Sequence, residues 1–174
     1  KYDPVTNAPL DYTMWVTVKS EPDATPEKKV VKVNSPLTFG STRVYLQANG
    51  YSPIVTVRDS VGNVGYQGPV PFLPQDSNLS STGVIKVPDV TPQLGFVGSF
   101  FPTIGRANGG GGISVFPEAL DPRLFLAAWT GDLGLDNGRP QSVYRINTDV
   151  MKQIGLKSLS PGETYTFEEG SITF

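Results

Sequence analysis

Eight residues, Gly131-Asp132-Leu133-Gly134-Leu135-Asp136-Asn137-Gly138, bring together two carboxylates, one Asn and three glycines. Carboxylate and carbonyl oxygens are what a calcium ion takes, so a cation loop is one reading. The spacing does not follow the helix–loop–helix calcium pattern, and no bidentate Glu stands at the required distance. Asp136-Asn137-Gly138 reads more simply as a turn in which Asn or Gly takes a positive φ. Paired carboxylates for glycoside hydrolysis are a second possibility, with Asp59, Asp76, Asp132, Asp136 and Glu163 as candidates. Most of these sit beside Gly, Pro or Ser, where an acid caps a turn. Trp15, Trp129, Tyr45, Tyr51, Tyr66 and Tyr144 offer aromatic faces for a sugar, although an aromatic in an alternating strand is usually core. Trp15 is the ambiguous one, because its face also carries Thr13 and Thr17. Met14 and Met151 are the soft ligands left for a haem iron, and each is read as strand filler. The four glycines Gly109 to Gly112 lack the Lys-Ser/Thr and helix of a phosphate cradle; Ile113-Ser114-Val115 continues as strand. Residues Gly105 to Gly112 are therefore expected to form a flexible loop tip.

Composition narrows the chemistry further. The chain has no His and no Cys. That removes thiolate catalysis, disulfide exchange, the Ser-His-Asp triad and every His- or Cys-ligated metal or haem. A net charge of −2 gives no electrostatic ground for nucleic acid or for an anionic membrane surface. Nothing here points to an enzyme.

The elements that must position these residues are strands. Of 174 residues 38% are hydrophobic and 17% charged, with 19 Gly and 16 Pro, which argues for short strands and many turns, not for disorder. Strand patterning marks Asp11–Lys19, Lys28–Asn34, Thr82–Pro88, Gln141–Thr148, Glu163–Phe167 and Ser171–Phe174, while Gly95–Phe101 is an apolar run broken by Gly98 and Leu124–Thr130 reads as a buried strand. Thr42–Ala48 and Pro53–Asp59 are expected to pair around Asn49-Gly50, with Val64–Gln67 following the turn at Ser60–Asn63. Gly68–Pro74, with three prolines, is expected at a sheet edge. Thr148–Gly155 is the best helical candidate, with Thr148 or Asp149 as cap and Met151 and Ile154 three apart. The expected fold is all-β: an antiparallel sandwich or curled sheet of about ten to twelve short strands with at most one or two short helices. The length suits a single β domain over residues 1–174, or at most two small ones sharing a core. The longest wholly apolar run, Leu124 to Trp129, is too short to span a bilayer. Because the chain opens on Lys1-Tyr2-Asp3 and stops within an apparent strand at Phe174, it is expected to be a piece of a longer protein.

Several stretches, in order, resemble one family. Asp11-Tyr12 opens a strand and is followed by Val31-Lys32-Val33-Asn34-Ser35-Pro36-Leu37, Gly40 and Val44-Tyr45-Leu46-Gln47. Then come Asn49-Gly50-Tyr51, Val70-Pro71-Phe72-Leu73-Pro74-Gln75-Asp76 and Gln93-Leu94-Gly95-Phe96-Val97-Gly98. This series is similar to the ResB family of cytochrome c biogenesis proteins. Thr130 to Asp136 and Gly138 to Tyr144 look like its actinobacterial branch. The resemblance implies the extracytoplasmic domain of a cell-membrane protein that works with a ResC (CcsA-type) partner in system II maturation, presenting haem with apocytochrome c. Haem-ligating histidines in that family belong to the membrane-spanning part and the partner. With no His here, no haem ligand carries over, and the domain holds no cofactor itself. What remains is a docking scaffold. The segment Gly131 to Tyr144 is the expected docking surface, with Asp132, Leu133, Asp136, Arg139 and Tyr144 as its contacts, since loops carry function more often than strands; a tightly turned loop kept for folding is the equal alternative. The alternative is a generic cell-surface β-sandwich module binding carbohydrate or protein.

Overall fold

The computed structural model describes residues 1–106 and 112–174. The expected flexible tip at Gly105 to Gly112 falls mostly on residues 107–111, outside the described residues. The chain is all-β, with fifteen strands and one 3-10 turn among the described residues. Among the described residues every ladder is antiparallel and no sheet closes on itself. The chain clusters into two compact units, Lys1–Asn49 and Gly50–Phe174.

The first unit holds two hairpins. Strands β1 (Thr13–Val18) and β2 (Glu27–Lys32) pair over their full lengths. Strands β3 (Leu37–Phe39) and β4 (Thr42–Val44) pair across a two-residue turn at Gly40-Ser41. Thr42–Ala48 is therefore not the partner of Pro53–Asp59, as the Asn49-Gly50 signal suggests. Those two residues stand instead at the junction of the units, and Thr42–Val44 is already taken by β3.

The second unit begins with β5 (Ile54–Asp59), β6 (Val64–Pro69) and β7 (Leu73–Pro74), followed by β8 (Ser81–Val87) and β9 (Leu94–Phe101). A short pair, β10 (Ile104–Arg106) and β11 (Gly112–Ser114), comes next. Then come β12 (Arg123–Gly131), β13 (Met151–Leu159), β14 (Thr164–Phe167) and β15 (Gly170–Thr173). One sheet runs β13-β12-β9-β8-β7 and another β14-β15-β5-β6. The proline-rich stretch indeed supplies edge strands, β6 and β7, where a missing N–H costs no ladder bond.

Alternation explains why the two sheets face each other. On β12, Leu124, Leu126 and Ala128 are buried while Phe125 and Ala127 face the other way. Leu94, Phe96 and Phe100 on β9, Val55 and Val57 on β5, and Ile172 on β15 complete one apolar cluster. Aromatic contacts cross the layer: Phe96 meets Phe167 edge-on at 6.0 Å, and Phe100 meets Phe174 at 6.2 Å. Burial of this area supplies most of the stabilisation, at about 25 cal/mol per Å².

Two further expectations fail. The helix over Thr148–Gly155 is instead a single 3-10 turn, Thr148–Val150, capped by Asn147, whose side chain accepts from the Asp149 N–H. From Met151 the chain is strand. A bulge sets Ala128 opposite Gly155 but Trp129 opposite Gln153, so Ile154 is the extra residue. That extra residue breaks the two-residue period, so Met151 and Ile154, three apart in the chain, are both half-buried, the spacing that looked helical. The strand expected over Gln141–Thr148 is absent as well; this segment is irregular, and Val143 is exposed.

Candidate functional site

The segment that follows β12 is a loop pinned to the sheet beneath it. Gly131 donates its N–H to the Gln93 carbonyl at 3.1 Å. The Gln93 side chain then holds the loop at two points. Its Oε1 accepts from the Leu133 N–H at 2.8 Å, and its Nε2 donates to Asp136 Oδ2 at 3.3 Å. Leu133 is buried, 4% exposed, and with Ile146 and Met151 it occupies the space a side chain at Gly95 would need. A glycine on β9 thus makes room for the loop to seat. Within the loop, Asp132 Oδ1 accepts from the Gly134 N–H at 2.6 Å, and Gln141 Nε2 donates to the Gly134 carbonyl at 2.6 Å. Further along, Lys86 Nζ donates to the Ser142 carbonyl at 2.8 Å. Desolvation lowers the pKa of that ammonium.

The five expected contacts therefore differ in role. Leu133 is the anchor, facing inward. Asp132, Asp136, Arg139 and Tyr144 remain exposed on the outside of the loop. Gln93 and Lys86 were not found by sequence reasoning, since their partners lie about forty and fifty-six residues away and no local pattern links them.

Beside the loop lies an apolar strip. Register sets Val84 opposite Val97, Val97 opposite Ala127 and Ala127 opposite Leu156, a row across four strands on the sheet face away from the core. Leu156 is 73% exposed. Together with Phe125 and Tyr144 this row lines a shallow depression of about 400 Å³.

Four of the five candidate carboxylates serve a turn, and the fifth, Asp136, accepts from Gln93. Asp59 accepts from the Val61 and Asn63 N–H groups and from Asn63 Nδ2. Asp76 accepts from the Ser80 N–H, and Glu163 from the Ser160 N–H. No group of three or more His, Cys, Asp or Glu arranged to hold a metal ion occurs among the described residues. The Asn63 side-chain hydrogen bond holds the Asp59 carboxyl below its ordinary pKa, and the Ser160 N–H does the same for Glu163. For both, the unfolded chain binds protons more readily than the folded one. Their contribution to stability is thus complete above the ordinary carboxylate range and lost as pH falls through the lowered values. Thermal unfolding should accordingly show a flat Tm between about pH 6 and 8, where no His or Cys titrates, and a falling Tm below about pH 4. In Asp59→Asn this acid-side loss should be shallower than in the parent sequence.

A sequence model of the ResB-like family matches residues 1–171. The chain belongs to the ResB-like family. The family is linked to cytochrome c biogenesis, is membrane-associated and is not known to be catalytic. No curated protein and no solved structure matched the chain. The likeness carried by the Val31–Leu37, Val70–Asp76 and Gln93–Gly98 segments is thus borne out at the level of the family. In this ResB-like chain, no helix among the described residues is long and apolar enough to cross a membrane.

Proposed function

We propose that this chain is a non-catalytic extracytoplasmic domain of a membrane protein for system II cytochrome c biogenesis. In this reading it scaffolds haem delivery and apocytochrome c assembly with a ResC/CcsA-type partner and holds no haem itself. The observation that carries the reading is the family match over residues 1–171. A chain without His or Cys supplies neither the usual axial nitrogen nor a thiol, which leaves positioning as its contribution. The loop residues Asp132, Asp136, Arg139 and Tyr144, with the apolar Val84–Leu156 row beside them, form the docking surface. A polar rim next to an apolar patch is what a protein interface requires, and Gln93 and Leu133 keep the rim from collapsing onto it.

Photo-crosslinking tests this directly. With a benzophenone residue in place of Tyr144 in the membrane-embedded parent, irradiation is expected to give a covalent adduct with the ResC/CcsA-type partner. Asp136→Lys combined with Arg139→Glu should reduce that adduct about tenfold while parent protein levels hold, because reversing rim charges weakens association more than folding. Undiminished crosslinking in the double variant would remove these residues from the interface.

A further inference from the structure

The β1–β2 hairpin has two unlike faces. Residues directly opposite in an antiparallel pair share a face. Thr13 stands opposite Lys32, Trp15 opposite Val30 and Thr17 opposite Lys28. One face therefore carries Thr13, Trp15, Thr17, Lys28, Val30 and Lys32. The other carries Met14, Val16, Val18, Glu27, Lys29 and the fully buried Val31. Among the paired strand residues the one acid, Glu27, is on that second face, 2.6 Å from Lys29, and Glu21 and Asp23 stand exposed in the turn that joins the strands. On the first face Trp15 is 76% exposed and Val30 52%. Lys28 and Lys32 are exposed on either side of Val30 and have no ion pair among the described residues. Asp11 lies at one end of this face, its Oδ2 accepting from Thr13 Oγ1 at 2.9 Å.

An exposed Trp–Val pair between two unpaired lysines has the chemistry of a membrane-interface contact. The indole places an apolar body and one N–H donor at headgroup depth, and the lysine stems lie along apolar surface while their ammonium groups reach phosphate. Lysines are mobile point charges and offer no fixed fork for one carboxylate, which suits a fluid array of lipid phosphates better than a specific acidic peptide. The family's membrane association puts such a surface within reach. We propose that the Trp15–Val30 face of this hairpin is a contact surface for an anionic lipid membrane. It serves a different purpose from the Gly131–Tyr144 loop and does not depend on the reading of that loop.

The test is co-sedimentation of residues 1–174 with vesicles of phosphatidylcholine, with and without phosphatidylglycerol. Binding is expected with the anionic vesicles alone and to weaken with added salt. Trp15→Ala should abolish it, and Lys28→Gln and Lys32→Gln should weaken it about fivefold each. All three positions are exposed, so circular dichroism should be unchanged. In a Trp129→Phe background Trp15 is the sole indole, and brominated lipid should quench its emission. Absence of sedimentation, or binding indifferent to these substitutions, would overturn the proposal. Equal binding to polyglutamate without quenching by brominated lipid would also overturn it, assigning the face to an acidic protein.

Discussion

Phe96→Ala is expected to destabilise the unit Gly50–Phe174 by about 3–5 kcal/mol, the range for deleting a buried phenylalanine. Phe96 is 0% exposed on the central strand β9, and its ring meets Phe167 at 6.0 Å across the layer between the sheets. The substitution removes apolar contact and leaves a cavity whose walls, Ile85 and Ala128 on the neighbouring strands, are held in register by backbone ladders. Collapse into the gap is therefore limited. Urea unfolding should show the midpoint shifted with the slope unchanged, and Tm should drop by roughly 10–20 °C. A double-mutant cycle with Phe167→Leu should return a coupling of about 0.5–1.5 kcal/mol. A loss below about 1 kcal/mol would mean that the sheets do not rely on this contact.

Gly170→Ala should have a comparable effect through a different cause. Gly170 opens β15 opposite Asp59, at φ +153°, and a Cβ there would run into the Arg58 carbonyl oxygen. A backbone oxygen in a ladder cannot rotate aside as a side chain can. Strain in that φ region costs about 1–3 kcal/mol on its own, and the steric overlap adds to it. Gly62 provides the control. Its φ is +94° but nothing lies within 4 Å of its added Cβ, so Gly62→Ala should cost only the conformational part. Paired thermal melts should show the Gly170 variant losing at least about twice the stability of the Gly62 variant. Equal losses would place the effect in φ alone and remove the Arg58 overlap as a cause.

Much of the fold was legible because alternation and short apolar runs bounded by turn residues are local signals. Leu124–Thr130 and Gly95–Phe101 appear almost where they were expected, since both strands bury one face and their turns carry Gly or Pro. Three features were not legible, and each depends on distant residues. The bulge at Ile154 is created by pairing with β12, and without that partner its three-residue spacing resembles a helix. Asn49-Gly50 has the local chemistry of a hairpin turn, yet its flanking strands find partners elsewhere, Thr42–Val44 with β3 and Ile54–Asp59 with β6 and β15. The apolar row from Val84 to Leu156 exists only through register across four strands. For the candidate site, the loop and its exposed charges could be read from its glycines and acids. Its anchors could not, because Gln93 and Lys86 look like ordinary surface residues until the sheet brings them beneath Leu133 and Ser142.

The central claim is that this domain positions partners while haem is held elsewhere. The most direct measurement is the visible absorption spectrum of the detergent-solubilised parent protein, with and without residues 1–174, alongside the level of covalently haem-loaded cytochrome c in the same cells. The expected result is a Soret band that survives the deletion while cytochrome c assembly fails. Loss of the band on deletion would contradict the claim, because the domain would then shape or shield the haem site. Normal cytochrome c assembly without the domain would contradict it equally.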